Sequence, residues 1–300
     1  MLVENTLFGE LDRVQTAISR LKLFNDMAVK NHPNGFLVLD SGGKDSDVIK
    51  QLALLSGVRF EIVHCHTTAD HPVTVQYVRQ EQCRWQAMGI PYTIQYPMYK
   101  GKRTSMWELI ALKGAPNKIM RWCCHILKEQ SAGAGRYTVT GVRWAESIKR
   151  ARTRAAYELP SGGRERIKLN NDNDARRCLL EHCMQKGQTV VNPIIDWRDS
   201  DVWDFHTQYG LNHNPLYDKG YRRVGCVGCP MGHHREELEE NPQYKMLYIH
   251  AFQRFLDRRP DVIQKYGWKN GEELYEWWVN GKALDRPDPD QLSWDDMDGI

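Results

Sequence analysis

Two groups of residues in this chain have the types and spacing that chemistry requires. The first is Ser41-Gly42-Gly43-Lys44-Asp45-Ser46, which follows the apolar run Phe36 to Asp40 (FLVLD) and precedes Val48, Ile49, Leu52 and Leu55 at helical spacing. A strand, a turn that only glycines permit and a helix start bring backbone N–H groups and the positive end of a helix dipole to one point. Lys44 adds a full charge there, and Ser41 and Ser46 add hydroxyl donors, so the expected guest is a phosphate or pyrophosphate group. The spacing is neither GxxxxGK[ST] nor GxGxxG, so neither a typical nucleotide triphosphatase nor a nicotinamide enzyme is suggested. The plain alternative is a Gly-Gly turn capped by Asp45 or Ser46.

The second group is four cysteines in two tight pairs, Cys123-Cys124 in RWCCHILK and Cys226 with Cys229 in VGCVGCP. Adjacent cysteines seldom bond each other. Four thiolates gathered on one centre suit a 4Fe-4S cluster or a zinc ion, both of which accept sulfur tetrahedrally. Zinc sites more often use two C-x-x-C knuckles, so the adjacent pair favours iron and sulfur, with a redox disulfide as a third reading. Cys65 in a strand and Cys83 in a helix occupy ordinary burial positions, and Cys178 and Cys183 have no partner motif.

The elements that must position these groups alternate. Leu11, Val14, Ile18 and Leu21 predict an opening amphipathic helix, and strands are expected at Phe36 to Asp40, Phe60 to His66, Tyr92 to Tyr96, Tyr137 to Val142 and Val190 to Ile195. With helical patterns between them, at least five strands predict an α/β fold: an open, mainly parallel sheet with helices on both faces. From Asp201 onward the residues read as helical or irregular, with Trp203, Phe205, Trp268, Trp277 and Trp278 as packing anchors, and the chain divides into a nucleotide-binding domain 1–235 and a C-terminal helical extension 236–300. Residues 143–188 form a basic excursion (Arg150, Arg152, Arg154, Arg164, Arg166, Lys168, Arg176, Arg177), readable as a nucleic-acid contact or as a solvated, mobile loop. The acidic stretch from Asp285 is expected to be poorly ordered. A net charge of +3 decides nothing about a polyanionic partner, and eight cysteines without a secretion signal or a long apolar run predict a cytoplasmic protein rather than a disulfide framework.

SGGKDS, the adjacent cysteines, GVRWAESIKR and PLYDKGYRRVGCVGCP together resemble the phosphoadenosine phosphosulfate (PAPS) reductase family of the PP-loop ATP pyrophosphatase superfamily, over roughly residues 36–235. The resemblance implies a parallel sheet with ATP or an adenylyl sulfonucleotide across its strand ends, and Mg2+ accompanying ATP. It puts Ser41, Gly42, Gly43, Lys44, Asp45 and Ser46 on the phosphates, Thr67 near ribose or adenine, Gly141 and Arg143 along the nucleotide, and Arg150 at the phosphate end. Lys44, Ser46 and Arg143 are the implied catalytic groups, and Cys123, Cys124, Cys226 and Cys229 hold 4Fe-4S, with zinc the alternative.

Two departures separate the chain from the family's reductases. Their nucleophilic cysteine lies near the C-terminus, whereas the last cysteine here is Cys229, and their D-T-G-x-x-F-P-E-T segment is only partly kept in His66-Thr67-Thr68-Ala69-Asp70-His71-Pro72-Val73-Thr74. The chain therefore looks closer to the phosphorothioation and thiolation enzymes: an ATP pyrophosphatase that adenylates an acceptor for sulfur transfer. A DNA or RNA acceptor and a sulfur or electron donor protein would be its partners, and no membrane. The other readings are an adenylyl sulfate or PAPS reductase lacking its own cysteine, and a non-catalytic nucleotide sensor or zinc-stabilised nucleic-acid binder.

Overall fold

The computed structural model describes residues 2–6, 9–118, 121–128, 135–159, 167–170, 189–232 and 234–280. Arg164, Arg166, Arg176, Arg177, Cys178 and Cys183 of the basic excursion, and the acidic tail from Asp285, lie outside them. The folded chain forms two compact units that interleave in sequence: one takes Met1–Cys65, Pro72–Gln95 and Ser131–Val224, the other His66–His71, Tyr96–Gln130 and Gly225–Ile300. The sequence division at 235 follows the chain; the compact units follow contact in space.

The first unit is the α/β body. Among the described residues its sheet has seven strands, in the order Ile167–Leu169, Tyr157–Leu159, Thr189–Val191, Tyr137–Val139, Phe36–Asp40, Phe60–Cys65, Tyr92–Gln95. The last five run parallel to one another, while Tyr157–Leu159 pairs antiparallel with both Ile167–Leu169 and Thr189–Val191. This edge pair corrects the expectation of a loop throughout 143–188. Tyr157 and Leu159 are buried, and their apolar side chains supply the strand with a core that the surrounding arginines hide in the sequence.

The central strand Phe36–Asp40 is apolar almost throughout because both its neighbours and its flanking layers cover it; Phe36 and Val38 are fully buried. Phe60–Cys65 instead alternates buried and half-buried positions. The opening helix is Arg13–Leu23, two residues later than the apolar spacing from Leu11 suggests, because Asp12 accepts from Val14 N and Gln15 N and caps it. It packs with the helices Lys44–Ser56 and Asp199–Tyr209 around a core that includes Leu21, Ile49, Trp197 and Phe205.

The second unit is mainly helical, with Met106–Lys113, Trp122–Leu127, His234–Glu240, Pro242–Arg258, Pro260–Tyr266 and Gly271–Asn280. Its core is aromatic: Tyr248 and Trp278 lie 4.7 Å apart between ring centres, and the Trp278 indole N–H donates to the Pro116 carbonyl at 2.6 Å. Trp268 and Trp278 are buried as expected, while Phe205 anchors the first unit instead. Cys83 is exposed, which corrects its expected burial: it sits on the outer side of the Pro72–Ala87 helix. No helix among the described residues is long and apolar enough to cross a membrane.

Candidate functional site

Strand order fixes where a ligand belongs on the first unit. From Phe36–Asp40 the chain adds Phe60–Cys65 and then Tyr92–Gln95 on one side, while Tyr137–Val139 and Thr189–Val191 lie on the other. The order reverses between Phe36–Asp40 and Tyr137–Val139, and in open α/β sheets ligands bind outside the strand ends at that crevice. The segments leaving those two strands are Ser41–Ser46 and Thr140–Arg143, so the topology brings together two of the motifs read from the sequence. They touch closely. A side chain at Gly141 would put its Cβ 3.0 Å from the backbone of Asp45, a distance that only glycine avoids.

The loop rests on a buried ionic network. Asp40, at the end of its strand, accepts from Gly42 N at 2.7 Å, Ser46 Oγ at 2.8 Å and Lys50 Nζ at 2.9 Å, and also from the Tyr92 hydroxyl. Lys50 is fully buried and reaches Asp47 at 2.9 Å and Glu81 at 3.5 Å as well. One ammonium thus serves three carboxylates. Burial opposes the Asp40 charge, but Lys50 and the hydrogen bonds outweigh it and hold that carboxyl well below the usual range. Asp47 goes the other way: burial pushes it up to about 7, with Asp40 and Glu81 adding their repulsion. Neither Asp40 nor Lys50 was singled out from the sequence, although the carboxylate that ends FLVLD was a usable signal.

Above this network lie two cations. Lys44 Nζ is 3.1 Å from Asp199 Oδ1 and 3.4 Å from Asp45 Oδ2. Arg143 is 2% exposed; its Nε donates to Asp45 Oδ1 at 2.5 Å and a terminal nitrogen donates to Asp199 Oδ1 at 2.9 Å. Partial burial disfavours the Asp199 charge, but Lys44 and Arg143 prevail and keep its carboxyl below the usual range. Asp199 opens the Asp199–Tyr209 helix, and from the same helix His206 Nε2 donates to the Lys44 carbonyl at 2.9 Å. Burial lowers the His206 pKa, which suits a neutral ring with that N–H.

The turn at 212–217 closes on the loop from the other side. Asn214 is fully buried and donates to the Gly42 carbonyl at 3.0 Å and to Thr74 Oγ1 at 3.1 Å, while the Tyr217 hydroxyl accepts from Lys44 N at 3.1 Å. Asp199, His206, Asn214 and Tyr217 were missed as site residues. Tyr217 stands inside PLYDKGYRRVGCVGCP, but a motif read as a string does not reveal which of its side chains turns back onto a loop some 170 positions earlier.

Of the expected nucleotide residues, Ser41 through Ser46, Gly141 and Arg143 converge here. Arg150 lies on the short Ile148–Thr153 helix and pairs with Glu146. Thr67 belongs to the second unit, where it is fully buried and its hydroxyl lies 3.2 Å from Cys226 Sγ.

In that second unit the four paired cysteines are free thiols that influence one another electrostatically. Cys123 donates to Cys124, and that hydrogen bond, with Arg121 at 3.6 Å, holds the Cys124 thiol below its ordinary value. Burial pushes the Cys226 thiol up to about 11, against the pull of the Lys128 ammonium. The Cys226–Cys229 turn is locked from several directions. Val227 N donates to Ala69 O at 2.8 Å, the Tyr248 hydroxyl donates to Val227 O at 2.9 Å, and Gly228 N donates to Glu237 at 3.0 Å. Gly228 has φ +72, and a Cβ there would meet Leu238 and Tyr248 at 3.0 Å, so glycine lets this turn sink into the aromatic core.

The sequence model of the phosphoadenosine phosphosulfate reductase domain matches residues 36–231, well over half of the chain. The chain belongs to that family. An uncharacterised protein of Methanocaldococcus jannaschii is 29% identical over 286 residues, covering 92% of this chain and 60% of that protein. A second uncharacterised protein of the same organism is 25% identical, covering 81% of this chain and 44% of its own length. The chain thus spans only about half of these relatives. The adenosine 5'-phosphosulfate reductase of Allochromatium vinosum is 29% identical over 155 residues, covering 47% of this chain and 49% of the reductase. Among solved structures, the phosphoadenylyl-sulfate reductase of Candida auris superposes with a TM-score of 0.45 at 17% identity, covering 71% of this chain and 91% of that one. The FMN adenylyltransferase of Candida glabrata superposes at 0.44 and 13%, covering 72% of this chain and 62% of that one.

Proposed function

We propose that this PAPS reductase-family chain binds ATP at the Ser41–Ser46 loop and adenylates an acceptor for sulfur transfer. The observation that carries the reading is the pairing of Lys44 and Arg143, two almost fully buried cations bridged by Asp45 and Asp199 over a glycine turn at the sheet's switch point. Cations held this way meet a polyphosphate already oriented, at little cost in side-chain ordering.

In the proposed reaction an acceptor oxygen attacks the α-phosphorus of ATP. The bond to the bridging oxygen breaks, pyrophosphate leaves with the electron pair, and the acceptor proton passes to solvent. Lys44 and Arg143 would neutralise the charge gathering on the departing group, and Ser46, pinned between Asp40 and Gly43, would keep the loop in shape. No protein nucleophile is needed, because positioning and electrostatics supply the rate. A sulfur nucleophile from a donor protein then displaces AMP from the adenylated acceptor. Asp45 and Asp199 offer the hard oxygen ligands that Mg2+ takes beside phosphates.

Cys123, Cys124, Cys226 and Cys229 fit an iron-sulfur cluster better than zinc. Zinc sites more often use two C-x-x-C knuckles, whereas here one of the two pairs is the adjacent Cys123-Cys124. A bound cluster would supply one-electron chemistry or a site for sulfur. An adenylyl sulfate or PAPS reductase is the second reading, supported by the 29% identity with the Allochromatium vinosum reductase over 155 residues.

The test is pyrophosphate release from ATP in the presence of candidate DNA and RNA acceptors, run beside sulfite release from adenylyl sulfate and PAPS. Pyrophosphate without sulfite supports adenylation. Sulfite release would replace it with the reductase, and neither product would leave a nucleotide sensor.

A further inference from the structure

The three leading amides of the phosphate loop already have partners in the folded chain. Gly42 N–H donates to Asp40 at 2.7 Å, Gly43 N–H to Ser46 Oγ at 3.2 Å, and Lys44 N–H to the Tyr217 hydroxyl at 3.1 Å. The first two partners come from the strand and helix that flank the loop and shape the turn. Tyr217 comes from a distant segment, and it sits at the mouth: a Cβ on Gly43 would lie 3.1 Å from its hydroxyl oxygen, so glycine at 43 is what admits the phenol.

Its position is held from both sides. The Trp203 ring packs edge-on against it at 5.3 Å and also contacts His206 and His213 at 5.2 and 5.5 Å. Three residues earlier, Asn214 fastens the same turn to Gly42 and Thr74, while its own Oδ1 accepts from Leu216 N at 3.1 Å. Lys44 Nζ lies 5.7 Å from the centre of the Tyr217 ring, within cation–π range. Burial, with the nearby Asp45, Asp47 and Asp199 charges, raises the phenol's pKa and keeps its proton in place.

The hydroxyl spends its oxygen on the Lys44 amide and keeps its own hydrogen, for which the described residues offer no acceptor. A phenol that accepts from a helix-start amide is polarised to donate more strongly in the outward direction. Beside a lysine and two serine hydroxyls, the acceptor this hydrogen suits is an anionic oxygen.

We propose that Tyr217 is a direct phosphate ligand of the loop: the Lys44 amide donates to the phenol, and the phenol donates to a phosphate oxygen of the bound nucleotide. The inference rests on the nucleotide reading above and deepens it. The first turn of the Lys44–Ser56 helix would be read by the anion through the tyrosine, not through a bare amide.

Calorimetric titration of the full chain with inorganic pyrophosphate, and with ATP and Mg2+, tests this in the wild type and in Tyr217→Phe, which keeps the ring and its contact with the Lys44 ammonium and removes the hydroxyl. Loss of a hydrogen bond to a charged acceptor predicts binding weaker by about tenfold or more for both probes, measured under conditions where both proteins remain folded. Equal affinity overturns the proposal, and so does tighter binding, which would make the phenol a plug that the anion must displace. Should Tyr217→Phe fail to fold, 3-fluorotyrosine at the same position keeps the shape and sharpens the donor. Tighter pyrophosphate binding then supports the relay, and unchanged or weaker binding overturns it. A wild-type chain that binds neither probe overturns the nucleotide reading along with the proposal, whereas a wild type that binds and a Tyr217→Phe that binds equally sinks the relay alone.

Discussion

The phosphate loop and the cysteine quartet solve opposite electrostatic problems. Around the loop every charge meets its opposite: Lys50 answers Asp40, Asp47 and Glu81, and Lys44 and Arg143 answer Asp45 and Asp199. The site stands complete without a guest, as suits a ligand that arrives and leaves. The quartet gathers four groups of one kind whose thiolates repel one another, and burial raises Cys226 further. A metal centre held there, as proposed, would favour the thiolates. The contrast teaches that a group of mixed charges can be stabilised by its own ion pairs while a group of like thiolates cannot.

The largest expected effect lies on the cofactor side. Cys124→Ser or Cys226→Ser should take iron and sulfide, quantified after anaerobic purification, to near zero, while the exposed Cys83→Ser keeps both; zinc in place of iron would break the comparison on that side. Next comes the ionic base of the loop. Lys50→Met leaves three buried carboxylates without their ammonium and should cost about 3–5 kcal/mol in urea unfolding. A loss below about 1 kcal/mol would show that the network is already neutralised by shared protons.

Arg143→Gln should slow pyrophosphate release by about 10²- to 10³-fold, the usual loss on removing one preorganised electrostatic group. A change confined to KM would recast Arg143 as a binding group. Gly141→Ala should destabilise by about 1–3 kcal/mol, because its Cβ would press on the Asp45 backbone at 3.0 Å; an unshifted unfolding midpoint would mean the two loops can part freely.

The smallest effect is a slope. Asp47 is raised by burial to about 7, against about 3.9 in an unfolded chain. A carboxyl with a raised folded pKa binds more protons when folded, so its stabilising share is full below about pH 4 and is lost as pH rises through about 7. Asp47→Asn should flatten the decline in urea midpoint between pH 5 and pH 8 relative to wild type. Identical slopes in the two proteins would remove Asp47 from the account.

Much of this was legible in the sequence, for reasons that differ between elements. FLVLD, a glycine turn and a 3.6-residue repeat leave one local structure available, so the loop and its helix are read without reference to the rest of the chain. The parallel strands follow from alternation with helices. The edge pair Tyr157–Leu159 and Ile167–Leu169 did not show, because two three-residue strands set among arginines carry too little apolar pattern to stand out. Arg143 was found through its motif, but its partner Asp199 was not, because an aspartate at a helix start is an ordinary way to begin a helix.

By itself the sequence determined the local devices: a glycine turn, two tight cysteine pairs, and family membership carried by ordered motifs. These depend on neighbours within a few residues, and short-range sterics and valence decide them. Only the tertiary structure decided which groups complete the site. Asp199, His206, Asn214 and Tyr217 reach the loop because a helix and a turn fold back on it, and Thr67 meets Cys226 because a six-residue segment joins the second unit. Contacts of that range are set by packing of the whole chain, which no window of sequence contains.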